Sequence, residues 1–174
     1  MFDPTARKAS FAPVVDAETR LVVLGSLPGE ISLRRAQYYA HPQNQFWRLM
    51  GAVTGQDLAA APYDARLALL RSHGVGLWDV VQSARRAGSL DGAIRDHQPN
   101  PLVELAGSLP KLRAIAFNGA TAAKIGRRTL GAPIACDLVS LPSSSAAHTL
   151  RIEAKLARWL TLQRYLAPEA SPMR

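Results

Sequence analysis

Apolar residues along the chain fall into two recurring patterns: short unbroken runs closed by a glycine or a polar group, and longer stretches spaced three and four apart. Leu21-Val22-Val23-Leu24-Gly25 is the first unbroken run, and it reads as a strand buried on both faces and ending in a turn. The runs at 75–81 (VGLWDVV), 113–119 (RAIAFNG) and 136–148 (CDLVSLPSSSAAH) give three more strands, the last leading into a serine-rich loop. Between them lie stretches of helical period. NQFWRLMGAVTG (44–55) carries Phe46, Trp47, Met50 and Val53 at positions suited to packing on a sheet, and DARLALLRSHG (64–74) is a second amphipathic segment closed by Gly74. Residues 101–110, 120–130 and 149–166 read as further helices, the last of them long.

Four apolar strands alternating with helices predict an α/β protein, a three-layer α/β/α sandwich around a central four-stranded parallel sheet. The chain of 174 residues is expected to form a single domain over 1–174. Residues 1–20 are expected to form an irregular arm and 168–174 a frayed tail, while the polar stretch 83–100 shows no clear period. In such sheets the ligand sits outside the carboxyl ends of the strands. That placement gathers four segments at one end: SLPGE (26–30), the residues after WDVV, FNG (117–119) and LPSSS (141–145). These are also the least generic residues in the chain.

Gly25-Ser26-Leu27-Pro28-Gly29 after a strand is a tight turn that could also cradle an anion with its N–H groups. It lacks the Gly-Lys-Ser/Thr of a P-loop and the G-x-S-x-G of a nucleophile elbow. Tyr38-Tyr39-Ala40-His41-Pro42-Gln43-Asn44-Gln45-Phe46-Trp47 is more unusual, with four aromatics, a histidine and an asparagine around one proline-bearing bend. An aromatic ring at the mouth of a parallel sheet can stack on a flat base, although Trp47 reads as helix core.

Composition narrows the chemistry. The net charge is +8, carried mostly by arginine, and the pI is near 10.4. An anionic partner such as nucleic acid fits that balance, although a GC-rich bacterial genome would give the same Ala, Leu and Arg bias. Cys136 is the one cysteine, and His41, His73, His97 and His148 show no ligand spacing, so neither a metal nor another cofactor is expected. No apolar run is long enough to cross a bilayer and the N-terminus lacks a signal-peptide core, so a soluble, cytoplasmic protein with no membrane partner is expected.

The ordered motifs GSLPGEIS (25–32), YYAHPQNQFW (38–47), LWDVVQSARRAGSLDGAI (77–94), FNG (117–119) and LPSSSAAH (141–148) resemble the hypoxanthine-DNA glycosylase (DNA-deoxyinosine glycosylase) family of the uracil-DNA glycosylase superfamily. The resemblance runs from about Leu21 to Trp159. It implies the removal of a deaminated base, hypoxanthine first, from DNA, by a protein with a uracil-DNA glycosylase-like fold; a monomer that leaves an abasic site is expected. It also implies roles. Asn44, the asparagine before Phe-Trp, would be catalytic. Phe46 would stack on the flipped base, Asn118 would read its edge, and Ser26, Leu27 and Gly29 would line the pocket. Ser143, Ser144 and Ser145 would grip phosphates or press into the gap left in the duplex. Leu27 stands where other branches carry Asp or Asn, and Leu141 where several carry histidine. Ala146 and His148 replace the family's usual Pro and Asn in the last motif.

Breaking an N-glycosidic bond needs donors aimed at the departing base, a positioned water and a negative field near the sugar. An asparagine can serve, with its carbonyl orienting water while its NH₂ donates elsewhere. Lys8, Lys111, Lys124 and Lys155 lie outside the motif loops, so no Schiff base is expected. Asp79, ending the second strand, either shapes the site or forms a cap or ion pair, and Asp91 is expected to cap the following turn. Tyr39 and His41 are candidate base contacts, and His148, Arg85 and Arg86 candidate phosphate contacts. A uracil or mismatch glycosylase, a nucleoside hydrolase of the same fold and a non-catalytic damaged-DNA-binding module are the other readings.

Overall fold

The computed structural model describes residues 3, 6–131 and 133–168, so nearly all of the expected tail lies outside the described residues. Strand β1 (Arg7–Ala9) is followed by β2 (Leu21–Gly25), then helices α1 (Glu30–Arg35), α2 (Phe46–Thr54) and α3 (Tyr63–Ser72). Strands β3 (Val75–Asp79), β4 (Val81–Arg85) and β5 (Arg95–Pro99) come next, then α4 (Leu102–Ser108), β6 (Ala114–Asn118), α5 (Ala120–Leu130), β7 (Asp137–Leu141) and α6 (Ile152–Trp159).

The four expected strands form one parallel sheet in the order β3-β2-β6-β7. β2 pairs Leu21 with Val75 on one side and with Ala114 on the other, and Asn118 at the end of β6 pairs with Leu141 of β7. Every residue of β2, β3 and β6 is buried, which is why these strands read as continuous apolar runs. Alternate residues feed opposite layers. Leu21 and Val23 pack with Phe46, Trp47, Met50, Leu70 and Trp159, while Val22 and Leu24 pack with Leu102, Leu105, Ala122 and Leu130. The chain leaves β2 for β3 on one side and later returns to place β6 on the other. The loops after β2 and β6 therefore diverge, and a crevice opens between them.

Three segments differ from expectation. Residues 83–100 are not irregular: β4 and β5 pair antiparallel, and β1 from the supposed arm joins the other side of β4, giving a second sheet in the order β1-β4-β5. This hairpin is nearly silent in sequence. Only Val81 and Ala84 of β4 are buried, β5 is exposed throughout, and the register shifts twice, so main-chain pairing rather than apolar burial holds it. A short helix, α1, follows the Pro28-Gly29 bend. The last helical stretch is two pieces, α6 and then a 3₁₀ segment over Leu160–Tyr165. Among the described residues no helix is long and apolar enough to cross a membrane.

Candidate active site

A cavity of about 710 Å³ opens at the carboxyl ends of the parallel strands. Ser26, Leu27 and Gly29 line it from the loop after β2, Tyr39, His41 and Asn44 from the bend before α2, and Asp79 from the end of β3. Asn118 lines it from the end of β6, and Ser143, Ser144, Ser145 and His148 from the loop after β7. Five segments spread over more than a hundred residues thus meet at one crevice.

One wall is a continuous hydrogen-bond network. Asn44 Oδ1 accepts the Phe46 N–H at 2.9 Å and the Ser144 hydroxyl at 2.8 Å. The backbone donor fixes which end of the amide is oxygen. Both lone pairs of the carbonyl are engaged, so it has none left to orient a water, contrary to expectation. The Asn44 NH₂, which has no partner among the described residues, is the free end. Ser144 also donates its N–H to Asn118 Oδ1 at 2.8 Å, while Asn118 Nδ2 donates to Ser144 Oγ at 2.9 Å and to the Tyr39 hydroxyl at 3.2 Å. Asn118 therefore reaches the cavity with both N–H groups taken and one carbonyl lone pair left.

Tyr38 and Tyr39 both line the cavity, Tyr38 nearly buried and Tyr39 the more exposed of the two. Phe46, the residue assigned to stacking, is fully buried and does not line it. The rings of Tyr39 and Phe46 lie parallel, 3.8 Å between centroids and 13° between planes, so Tyr39 covers the face of Phe46. The backbone of Tyr39 is held in the left-handed region at φ 52°, where a non-glycine residue is strained, and its carbonyl accepts Trp47 Nε1 at 3.1 Å. Burial pushes the Tyr39 hydroxyl well above the ordinary phenol range, and the negative field of Asp79 adds to this. That hydroxyl is a neutral donor and acceptor at any working pH.

The opposite wall is not satisfied. Asp79 is 4% exposed, and among the described residues its Oδ2 has no hydrogen-bond partner. It neither caps a helix nor forms an ion pair. Burial, with the nearby Asp91 adding to it and Arg86 opposing it, pushes its carboxyl up to about 7. A Cβ on Gly25 would stand 2.7 Å from Asp79 Oδ1 and 3.0 Å from the Tyr39 hydroxyl, so only glycine lets both groups lie against the strand end. Asp91 faces the same cavity rather than serving only its own turn: its Oδ1 accepts the Ser26 hydroxyl, and burial raises its carboxyl as well.

Two other expectations are corrected by burial. Arg86 is 1% exposed, and its guanidinium donates to the carbonyls of Leu27, Pro28 and Gly88. It ties the first loop to the 86–88 turn and is not available to a phosphate. Arg85, in contrast, is exposed on β4 and outside the cavity wall. His41 accepts the Gln43 N–H on Nδ1 at 3.1 Å, which leaves Nε2 as the donor end of the neutral ring.

The sequence pattern of the uracil DNA glycosylase superfamily matches residues 12–166, which takes in every wall of this cavity. The chain belongs to the uracil DNA glycosylase superfamily. It is 37% identical over 155 residues to a protein named hypoxanthine DNA glycosylase from Methanosarcina barkeri, covering 88% of this chain and 96% of that one. It is equally identical over 158 residues to a protein of the same name from Methanosarcina acetivorans, covering 91% and 99%. A solution NMR structure of a Methanosarcina acetivorans protein, provisionally described as a uracil DNA glycosylase, superposes with a TM-score of 0.81 at 37% identity, covering 92% of this chain and 99% of that one.

In this glycosylase one supporting residue escaped the motif reading. Lys155 of α6 is fully buried, and its Nζ donates to Gln45 Oε1 at 2.9 Å and to the Ser145 carbonyl at 3.1 Å. It pins the bend before α2 to the serine loop, behind Asn44 and Ser144. Burial pulls its ammonium below the usual lysine range. The one sequence signal was a lysine at i−4 from Trp159 on the apolar side of an amphipathic helix, where Lys is rarely placed without a partner.

Proposed function

We propose that this protein hydrolyses the N-glycosidic bond of deoxyinosine in DNA, releasing hypoxanthine and leaving an abasic site without forming a covalent intermediate. The names of its 37%-identical relatives support the choice of base. So does Leu27, an apolar side chain on the cavity wall of a first loop that offers no Asp or Asn to a water.

The observation that carries the mechanism is the fixed amide of Asn44. When the C1′–N9 bond breaks, its electron pair goes to the purine, and water then adds to C1′ and gives up a proton. The Asn44 NH₂, held by its own carbonyl through Phe46 and Ser144, is a preorganised donor for the charge developing on the base. Asp79, poised between its two protonation states near neutral pH, is a second donor when protonated, and its free Oδ2 is the acceptor-starved position in the wall. Tyr39 offers the aromatic face, and the remaining lone pair of Asn118 Oδ1 suits the ring N–H of a deaminated base. Ser143, Ser145 and His148 at the rim, with Arg85 exposed on β4, supply phosphate contacts, in keeping with the net charge of +8.

The test is single-turnover base release from oligonucleotides carrying deoxyinosine, deoxyuridine or deoxyxanthosine, with free deoxyinosine alongside and chelator present. Hypoxanthine should be released fastest, from DNA and not from the nucleoside, and chelator should not slow it. Faster uracil release would move the protein to a uracil-excising branch. Binding without release would make it a damage-binding module, and equal cleavage of the nucleoside would make it a nucleoside hydrolase.

A further inference from the structure

The second sheet carries a charge pattern that the cavity does not use. In its register Arg7 of β1 stands opposite Arg85 of β4, and Arg85 stands opposite Arg95 of β5. Residues paired across antiparallel strands share a face, so the three arginines form a row across the full width of this sheet. All three are exposed. The cation beside them on the other face is treated differently: Lys8 is paired with the buried Ala84, and its ammonium is bound by Glu30 at 3.0 Å.

Like charges set directly opposite each other destabilise a sheet, and no acid relieves this row. The ion pairs among the described residues, Lys8 with Glu30 and Lys111 with Glu18, leave all three arginines out. The row is nonetheless held in shape. Arg7 Nη2 donates to the carbonyls of Ser83 and Asp96, at 3.2 and 2.8 Å, where the register of β4 and β5 shifts and Asp96 takes φ 51°. Arg95 Nη1 donates to the carbonyls of Gly92 and Ile94 at 2.7 and 2.8 Å. These bonds fasten the two outer guanidiniums and leave part of each open. Nη1 of Arg7, Nε and Nη2 of Arg95 and the whole guanidinium of Arg85 have no partner among the described residues. A guanidinium fork matches a phosphate, and a row of them matches a line of phosphates. With strands about 4.8 Å apart the row spans about 10 Å, a length over which one strand of a duplex offers about three phosphates. The connection between β4 and β5 sets its place. Ser89, Leu90, Asp91 and Gly92 of that connection line the cavity, Arg85 and Arg95 stand at its two ends, and the row itself is outside the cavity wall.

We propose that the row of Arg7, Arg85 and Arg95 is a second DNA-binding surface, separate from the cavity, which grips the backbone of undamaged duplex to one side of the lesion. The proposal rests on the reading of the protein as a DNA glycosylase and adds how it stays on DNA that offers the cavity nothing to bind.

The deciding measurement is the salt dependence of affinity for undamaged duplex. Each phosphate contact adds about 0.9 to the slope of log K against log salt, so Arg7→Gln combined with Arg95→Gln should flatten it by about two. Lys124→Gln combined with Arg128→Gln removes the same charge from the exposed side of α5 and should leave the slope unchanged. An unflattened slope in the first pair, or equal flattening in the second, overturns the proposal. Sidedness is the second readout. With deoxyinosine near one end of the duplex, the first pair should bind about tenfold more weakly when the duplex extends to one side of the lesion, and as wild type does when it extends to the other. Equal weakening on both sides would reduce the row to a general charge effect. Melting temperature shows that the variants fold; should Arg7→Gln not fold, Arg95→Gln alone decides, by a flattening of about one. Binding is read without chemistry. Wild type that binds duplex but releases no hypoxanthine fails the choice of base while the row is still decided, and wild type that binds no DNA at low salt sinks both.

Discussion

The two walls of the cavity are built on opposite principles. On the side of Asn44, Ser144, Asn118 and Tyr39, nearly every polar atom has a partner inside the protein, and the aromatic beneath is covered by another aromatic. On the side of Asp79 and Asp91 a carboxylate oxygen is buried with no partner. A satisfied network stiffens, and a buried unsatisfied group that faces a cavity is a place where a ligand or water can bind. The first wall therefore sets geometry, leaving one NH₂ free, and the second supplies binding capacity.

The largest effect should come from the deepest residue of the first wall. If Phe46 is scaffold beneath Tyr39, Phe46→Ala should cost about 3–5 kcal/mol of stability, as emptying a core aromatic site does, measured by denaturant unfolding. A soluble, fully stable variant with weakened lesion binding would put the base back on Phe46. Next comes Asn44→Asp. The carboxylate can still accept from Phe46 and Ser144, so the wall stays closed and only the donor is lost. Base release should fall by about 10²–10³, comparable to removing one preorganised donor from other active sites. Retained activity in Asn44→Asp would show that the carbonyl end does the work.

How much of this was legible beforehand differs by element. The strands of the parallel sheet were readable because burial on both faces forces unbroken apolar runs such as Leu21–Leu24 and Ala114–Phe117. The β4–β5 hairpin was not, since pairing of exposed main chain leaves little trace in residue type. The motifs brought Asn44, Asn118 and Ser144 to one place, but no residue pattern could show which end of the Asn44 amide is free. That depends on a donor two residues away and another a hundred residues away. Arg86 was misjudged for a physical reason: a guanidinium has five donors, and three backbone carbonyls from two adjoining loops satisfy it as well as a phosphate would.

A smaller effect should follow from the support behind the first wall. Lys155→Met keeps the length of the side chain and removes the tie between Gln45 and Ser145. Base release should drop about tenfold through misplacement of the serine loop, with little loss of melting temperature because the desolvation cost of a buried ammonium goes with it. A collapsed fold and unaltered chemistry in the surviving protein would make Lys155 purely structural.

The smallest effect concerns Asp79 and has a defined sign. Its carboxyl titrates near 7 in the fold, against about 4 in the unfolded chain, so the folded state holds the proton more tightly. The stability this contributes is complete below about pH 4 and is lost as pH rises through about 7. Asp79→Asn should escape that loss, melting about 3 °C or more above wild type at pH 9 relative to pH 5. Base release by wild type should also decline above about pH 7 and lose that dependence in the variant. A parallel decline in both proteins would assign the titration elsewhere, with Asp91 the next carboxyl on the same wall.

The ring of Tyr39 bears on turnover as well as on architecture. Lying flat on Phe46 with its hydroxyl on Asn118, it leaves a loose planar molecule one aromatic face and one Asn118 lone pair as partners, not a slot between two rings. A nucleotide still attached to DNA brings phosphate contacts that help it compete for those partners, whereas a severed base brings none. The spent purine should thus be a poor inhibitor, and the abasic strand, which keeps its phosphates, the product that lingers.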